Sequence, residues 1–154
     1  RGLGDVYKRQ DIAFATGHSS PAESLLMAQA AHDMGFKKCI ITHPNTLIWK
    51  MTPAQLEKAA ALGAWIEFCY LGRFWGEDSA MPTYPRQSLR ETTEILRVAP
   101  ERTFITTDLG QVGMPRPVEG MRMARNELKK AGFDDTTLRL MMSETPAYLI
   151  SLNK

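Results

Sequence analysis

A helix-start signal is written twice within the first 55 residues, each time just after a short apolar run, and this repetition constrains the fold more than any other feature. Ser20-Pro21-Ala22-Glu23 and Thr52-Pro53-Ala54-Gln55 each supply a hydroxyl N-cap, a proline at the first helical position and a capping-box partner three residues on. The first follows the apolar run Asp11 to Gly17, the second follows Lys38-Cys39-Ile40-Ile41-Thr42 and its exit His43-Pro44-Asn45. Leu25, Leu26, Ala28 and Met34 keep a helical spacing up to Gly35, and the second helix is expected to stop at Gly63. The pattern then continues. Residues 64–70, rich in aromatic and β-branched side chains, predict a third strand, and 103–107 a fourth. Helices are expected over 88–98, over 118–131 with Gly132 as the stop, and over 137–152 as one or two closing helices broken near Pro146. Residues 72–87 form a long irregular stretch of Gly, Pro and aromatics, too long for a mere connector.

Strands alternating with helices imply parallel pairing, since parallel neighbours need a long crossover, and the fold class is α/β. Two architectures meet that description: an open doubly wound sheet, complete in about this length, and four consecutive units of a (β/α)8 barrel, which takes about 250 residues in full. With 154 residues, 44% of them hydrophobic, one domain with a substantial core is expected. Lys plus Arg number 19 against 17 Asp plus Glu, with no block of like charge, so neither nucleic acid nor an anionic membrane is an expected partner. No apolar run approaches the roughly 18 residues of a membrane span and no secretory leader opens the chain, so a cytoplasmic location is expected. Residues 1–10 start without Met and lack periodicity; they read as an added, non-native leader, leaving 11–154 as the domain. Cys39 and Cys69 lie inside apolar strand-like runs and are expected to be free, buried and hydrophobic in behaviour.

The polar residues at strand ends carry the chemistry. His18 follows the first strand, His43 the second and Asp108 the fourth, in Thr106-Thr107-Asp108-Leu109-Gly110-Gln111. In either α/β architecture the active site is built at the carboxyl edge of the strands. Neutral imidazoles plus a carboxylate are the ligand set of zinc or a similar divalent ion with a position left open for water, and a carboxylate beside activated water can move its proton. Glu67, if it points inward from the third strand, takes Trp65 and Cys69 with it by alternation, while Ile66 and Phe68 face the helices; a Glu there should meet a metal, an Arg or substrate. Arg73 and Arg86, with Trp75 and Tyr84, stand in the long loop, where they can line the site and hold an anionic or aromatic substrate group. His32 falls in a helix and is read as structural or incidental, the methionines as core, and no Gly-rich phosphate-binding fingerprint is present.

The runs Ala15-Thr16-Gly17-His18, Ile41-Thr42-His43-Pro44, Thr107 to Gln111 and the closing Met142 to Leu152 together resemble the C-terminal half of the amidohydrolase superfamily, and within it amidohydrolase-like proteins loosely related to phosphotriesterases, over residues 11–152. Thr145 stands where that superfamily usually has Asn, and both residues cap helices. The resemblance implies the last four βα units of a (β/α)8 barrel, with His18 and His43 as metal ligands and Asp108 as metal contact and proton carrier. It implies a hydrolase in which zinc-activated water attacks an amide, ester, lactone or phosphoester bond of a small-molecule substrate. That superfamily's His-any-His pair is absent, so the chain by itself is expected to be inactive or weakly metal-binding. Two further expectations stand beside it: a non-catalytic half barrel that pairs through open strand edges as a homo-oligomer, and a doubly wound binding domain with incidental histidines.

Overall fold

Four short strands pair in parallel in the order in which the chain makes them: β1 (Phe14–Ala15), β2 (Cys39–Ile41), β3 (Trp65–Cys69) and β4 (Thr103–Thr106). The computed structural model describes residues 10–151, so the leader expected over 1–10 falls, Gln10 apart, outside the described residues, as does Leu152. Helices α1 (Pro21–Asp33), α2 (Pro53–Ala61) and α3 (Leu89–Leu96) connect successive strands. Beyond β4 come α4 (Pro117–Lys130), α5 (Asp135–Arg139), a π-helical turn (Leu140–Glu144) and α6 (Thr145–Ile150). The protein is an α/β fold with one parallel sheet, and no described helix is long and apolar enough to cross a membrane.

Helix starts sit where local chemistry demands. The Ser20 hydroxyl accepts from the Glu23 N–H at 3.3 Å while the Glu23 carboxylate accepts from the Ser20 N–H at 3.0 Å. Thr52 and Gln55 repeat the exchange at 3.3 and 2.8 Å, and Ser88 with Glu91 adds a third box at 3.1 and 3.2 Å. Past the other ends of α1, α2 and α4, Gly35, Gly63 and Gly132 take φ of 72°, 81° and 90°, the left-handed turn that releases a helix.

Two expectations are corrected. β1 spans two residues rather than the whole run 11–17, because it pairs only with β2, through Phe14 opposite Cys39 and Ala15 opposite Ile40. Beyond that, hydroxyls replace the ladder: the Thr42 side chain accepts from the Gly17 N–H and the Thr16 side chain from the Thr42 N–H, each at 3.1 Å. Pro146 does not break the closing helix. It lies in the first turn of α6, where its missing N–H is not needed, and the carbonyl its ring would strike, that of Met142, belongs to the widened π turn.

The sheet's two faces differ as strand alternation requires. On the helix side Ile41 and Ile66 pack with Ala28 and Ala31 of α1 and Leu56 and Ala59 of α2. Phe68 and Ile105 pack with Leu96 of α3, Ala124 and Leu128 of α4, and Leu138 and Met141. Trp65 and Glu67 remain half-buried on the other face, as the period-2 reading expects. Both cysteines are free and buried.

The amino edge of the sheet is closed by a buried cation. Lys38 is 1% exposed; its Nζ lies 2.7 Å from the Asp11 carboxylate and also donates to the carbonyls of Asp11 and Ser151. The Tyr148 ring centre stands 5.1 Å from that Nζ, and the same ring packs on Trp65, which Arg102 covers from another side. The network ties β2 to the segment before β1 and to the end of α6. Removing one partner of a buried pair strands the other charge, so Asp11→Ala, which strands the fully buried Lys38 ammonium, should destabilise by about 3 kcal/mol, and Lys38→Met by less because the Asp11 carboxylate it strands is 14% exposed and reaches water. Urea denaturation midpoints check the order; equal stability of Asp11→Ala and the parent would refute the network's role.

Candidate metal centre at the carboxyl edge

Each strand exit that carries a candidate ligand is a left-handed turn. Gly17, His43 and Asp108 stand two residues past the ends of β1, β2 and β4, with φ of 66°, 48° and 49°. Among the described residues only Asp11 joins His43 and Asp108 as a non-glycine with positive φ. Such backbone is uncommon for side-chain-bearing residues, costs of order 1–3 kcal/mol, and clusters at functional sites.

His43 is held from its own loop. Its carbonyl accepts from the Thr46 N–H at 3.1 Å and from the Thr46 hydroxyl at 3.0 Å, and the Met51 N–H closes the turn on the Pro44 carbonyl at 2.9 Å. Asn45, two residues on and 4% exposed, accepts from the Cys69 N–H at 2.9 Å and donates to the Cys69 carbonyl at 2.7 Å. One side-chain amide thus extends the β2–β3 pairing beyond the strand and fixes the backbone of Cys69.

His18, immediately after Gly17, is exposed and stacks on Trp49 of the β2–α2 loop, with ring centres 4.4 Å apart and planes 15° apart. Its ring centre lies 5.5 Å from that of His43. Asp108 is exposed at the exit of β4, and the next residue, Leu109, packs on Gly120 of α4: a Cβ there would stand 2.1 Å from Leu109 Cδ1, so a larger residue would make the Leu109 side chain shift.

Three side chains converge. His43, Cys69 and Asp108 each offer one ligand atom, and these atoms all lie within 4.8 Å of one another. His43 Nδ1 is buried with no hydrogen-bond partner among the described residues. Burial pushes the Cys69 thiol up to about 12, and the nearby Asp108 and Glu67 carboxylates push the same way.

The other expected site residues fall elsewhere. Glu67 forms no ion pair among the described residues and is not one of the three converging side chains; its carboxylate accepts from the Thr106 hydroxyl at 3.1 Å. Arg73 is an anchor of the long loop: Nη2 and Nε meet the Glu127 carboxylate at 3.1 and 3.2 Å, and Nη1 donates to the Gln87 carbonyl. Arg86 is exposed and donates from Nε to the Trp75 carbonyl at 2.8 Å. Arg73 and Arg86 line a groove of about 240 Å³ together with Asp78, Ser79 and Glu127. Within the loop Trp75 packs on Tyr84 and is buried with Leu71 and Cys69, against Leu109 and Met114. His32, exposed on α1, joins its Nδ1 to the Leu62 carbonyl at 3.0 Å, tying α1 to the end of α2.

Of the three expected ligands, His43 and Asp108 meet and His18 stands outside their group; Cys69, Asn45 and Trp49 were not expected at the site. For Cys69 the signal was present, because alternation along β3 places it on the face of Glu67.

No curated protein matches the sequence. Residues 3–67 match DUF6282, a family of unknown function. The matched span starts before Asp11 and runs into β3; it includes His18 and His43 and stops short of Cys69 and Asp108.

Glu127 also receives the Tyr70 hydroxyl at 2.7 Å. Burial alone would raise its pKa, but the hydrogen bonds from Arg73 and Tyr70 outweigh burial and hold it below 4.5. A depressed carboxylate stabilises the fold above its unfolded pKa and loses that contribution as pH falls through the folded value. The difference in urea midpoint between the parent and Glu127→Gln should therefore be widest near neutral pH and close as pH drops below 4.5; a difference independent of pH would show that the carboxylate charge is not what holds the loop.

Proposed function

We propose that the chain carries the metal-binding part of a hydrolase of the amidohydrolase kind, its four βα units being consecutive units of a (β/α)8 barrel. The observation that carries this reading is the meeting of His43 and Asp108, 65 residues apart in the chain, on the carboxyl edge; the His43 Nδ1 is also buried and, among the described residues, has no partner. A buried nitrogen left unsatisfied costs about 1–3 kcal/mol, and a metal ion that takes its lone pair removes that cost. The left-handed turns at both residues support the same site. Sequential strand order, without the reversal that marks a doubly wound sheet, supports the barrel over the binding-domain reading.

The donors fit a divalent ion of the zinc type, held by His43 and Asp108; His18, the third expected ligand, stands outside the convergent group, its ring stacked on Trp49 and centred 5.5 Å from the His43 ring. When bound, such an ion supplies Lewis-acid activation of water and of the scissile bond. The protein's own groups do the rest. Asp108, exposed at the rim, accepts the proton of the attacking water and delivers it to the leaving group of an amide, ester, lactone or phosphoester. Trp49 holds the His18 ring in place by stacking, and Asn45 keeps the β2 and β3 exits together.

One observation favours a second reading, a half barrel that associates through its open edge: an apolar groove of about 470 Å³ beside β1, lined by Ile12, Phe14, Met27, Met34 and Phe36 among others. Sedimentation that shows only monomers at every concentration would remove it. For the metal-site reading, elemental analysis of the purified chain should find about one zinc equivalent, falling at least tenfold in His43→Ala and Asp108→Ala while both variants still melt cooperatively. A folded parent chain that binds no metal would sink it.

A further inference from the structure

We propose that Cys69 is a sulfur ligand of this same centre, making it a mixed nitrogen, sulfur and oxygen site that selects a thiophilic divalent ion, zinc or cobalt(II), over magnesium or calcium. The inference rests on the metal-site reading and deepens it by naming the class of ion.

The placement of the sulfur follows from register. β3 pairs Ile66 with Ile41 on one side and with Thr103 on the other, and Phe68 with Ile105, so these residues share the helix side of the sheet. Cys69, paired with Thr106, belongs with Glu67 to the opposite face. There its Sγ lies within 4.8 Å of a ligand atom of both His43 and Asp108. In a tetrahedral zinc site with bonds of about 2.0–2.3 Å, ligand atoms stand about 3.5 Å apart. The three side chains therefore need to close by about an ångström, which rotations about their own bonds supply without moving a strand.

Independent features of the site point to an ion. The His43 Nδ1 is fully covered and, among the described residues, unpartnered. Cys69 is itself 0% exposed and packs with Leu71 and Trp75, yet a ligand atom of both His43 and Asp108 lies within 4.8 Å of its Sγ. Asn45 grips both backbone groups of Cys69 from the loop that carries His43, so one brace holds the exits that bear two of the donors. An ordinary core thiol requires none of this. A thiolate beside an imidazole selects borderline and soft ions, whereas magnesium and calcium prefer all-oxygen sites. On binding, the S–H bond gives way to an S–metal bond and the proton leaves to solvent.

Cobalt(II) is the probe, added to the metal-free full chain, with binding followed by equilibrium dialysis and by near-ultraviolet absorption. Stoichiometric binding is expected, with an intense thiolate-to-cobalt charge-transfer band. Cys69→Ser should abolish that band and weaken cobalt binding at least tenfold, while Cys39→Ser and His18→Ala should keep the band, and excess magnesium should not displace the ion. If cobalt binds to the parent and is lost in His43→Ala, but no charge-transfer band forms, Cys69 is not a ligand and the metal-site reading survives. A band that persists in Cys69→Ser likewise overturns the inference. If the folded parent binds no cobalt, the metal-site reading falls and the inference with it.

Discussion

Parallel pairing makes every strand finish on the same edge, and the rest of this protein follows from how that edge is finished. Ladder hydrogen bonds stop where the strands stop, so the exposed backbone groups beyond them need other partners. Threonine hydroxyls serve between the exits of β1 and β2, and the Asn45 amide serves between the exits of β2 and β3. The register they preserve decides which side chains meet. A slip of one residue in β3 would send Phe68 toward the candidate site and Cys69 into the helix layer. The polar exits are therefore the condition on which the core packing and the convergence at the edge agree.

The two edges of the sheet solve opposite problems. At the amino edge a buried lysine is paired with Asp11, itself at φ 54°, and faces the Tyr148 ring, so its charge is matched. At the carboxyl edge His43 and Asp108 sit in strained turns, a ring nitrogen lacks a partner among the described residues, and a thiol stands next to a carboxylate. Free energy is gained at one edge and left unspent at the other, and unsatisfied, strained groups are where a ligand has most to offer.

What was legible in the sequence is what local chemistry decides. Capping boxes and helix-stopping glycines act within a few residues, so Ser20, Thr52, Gly35, Gly63 and Gly132 could be read in advance. The alternation that buries Ile66 and Phe68 was equally plain. The extent of β1 was not, because an outer strand lasts only as long as its single neighbour pairs with it. The role of Arg73 was hidden for a related reason: its partner Glu127 lies 54 residues further on, in a helix whose placement no local pattern reveals. An arginine in a loop near strand exits reads as a substrate contact until the carboxylate that occupies it is known.

Cys69 shows two sequence rules in conflict. Composition ranks a cysteine in an apolar run as a small hydrophobe, and its complete burial agrees with that rule. Alternation ranks it with Glu67, on the face opposite the helix layer. Composition describes how a residue type behaves on average, whereas register says where this one side chain goes, and register is the stronger constraint once Ile66 and Phe68 are committed to the helices. Burial then changes its meaning. Although Cys69 packs with Leu71 and Trp75, its thiol also lies within 4.8 Å of a ligand atom of both His43 and Asp108, groups that apolar contact cannot satisfy. With the Cys69 backbone gripped by Asn45 and Leu109 of the Asp108 loop packed on Gly120, the freedom left at the centre is that of three side-chain rotors, the small adjustment that binding an ion demands.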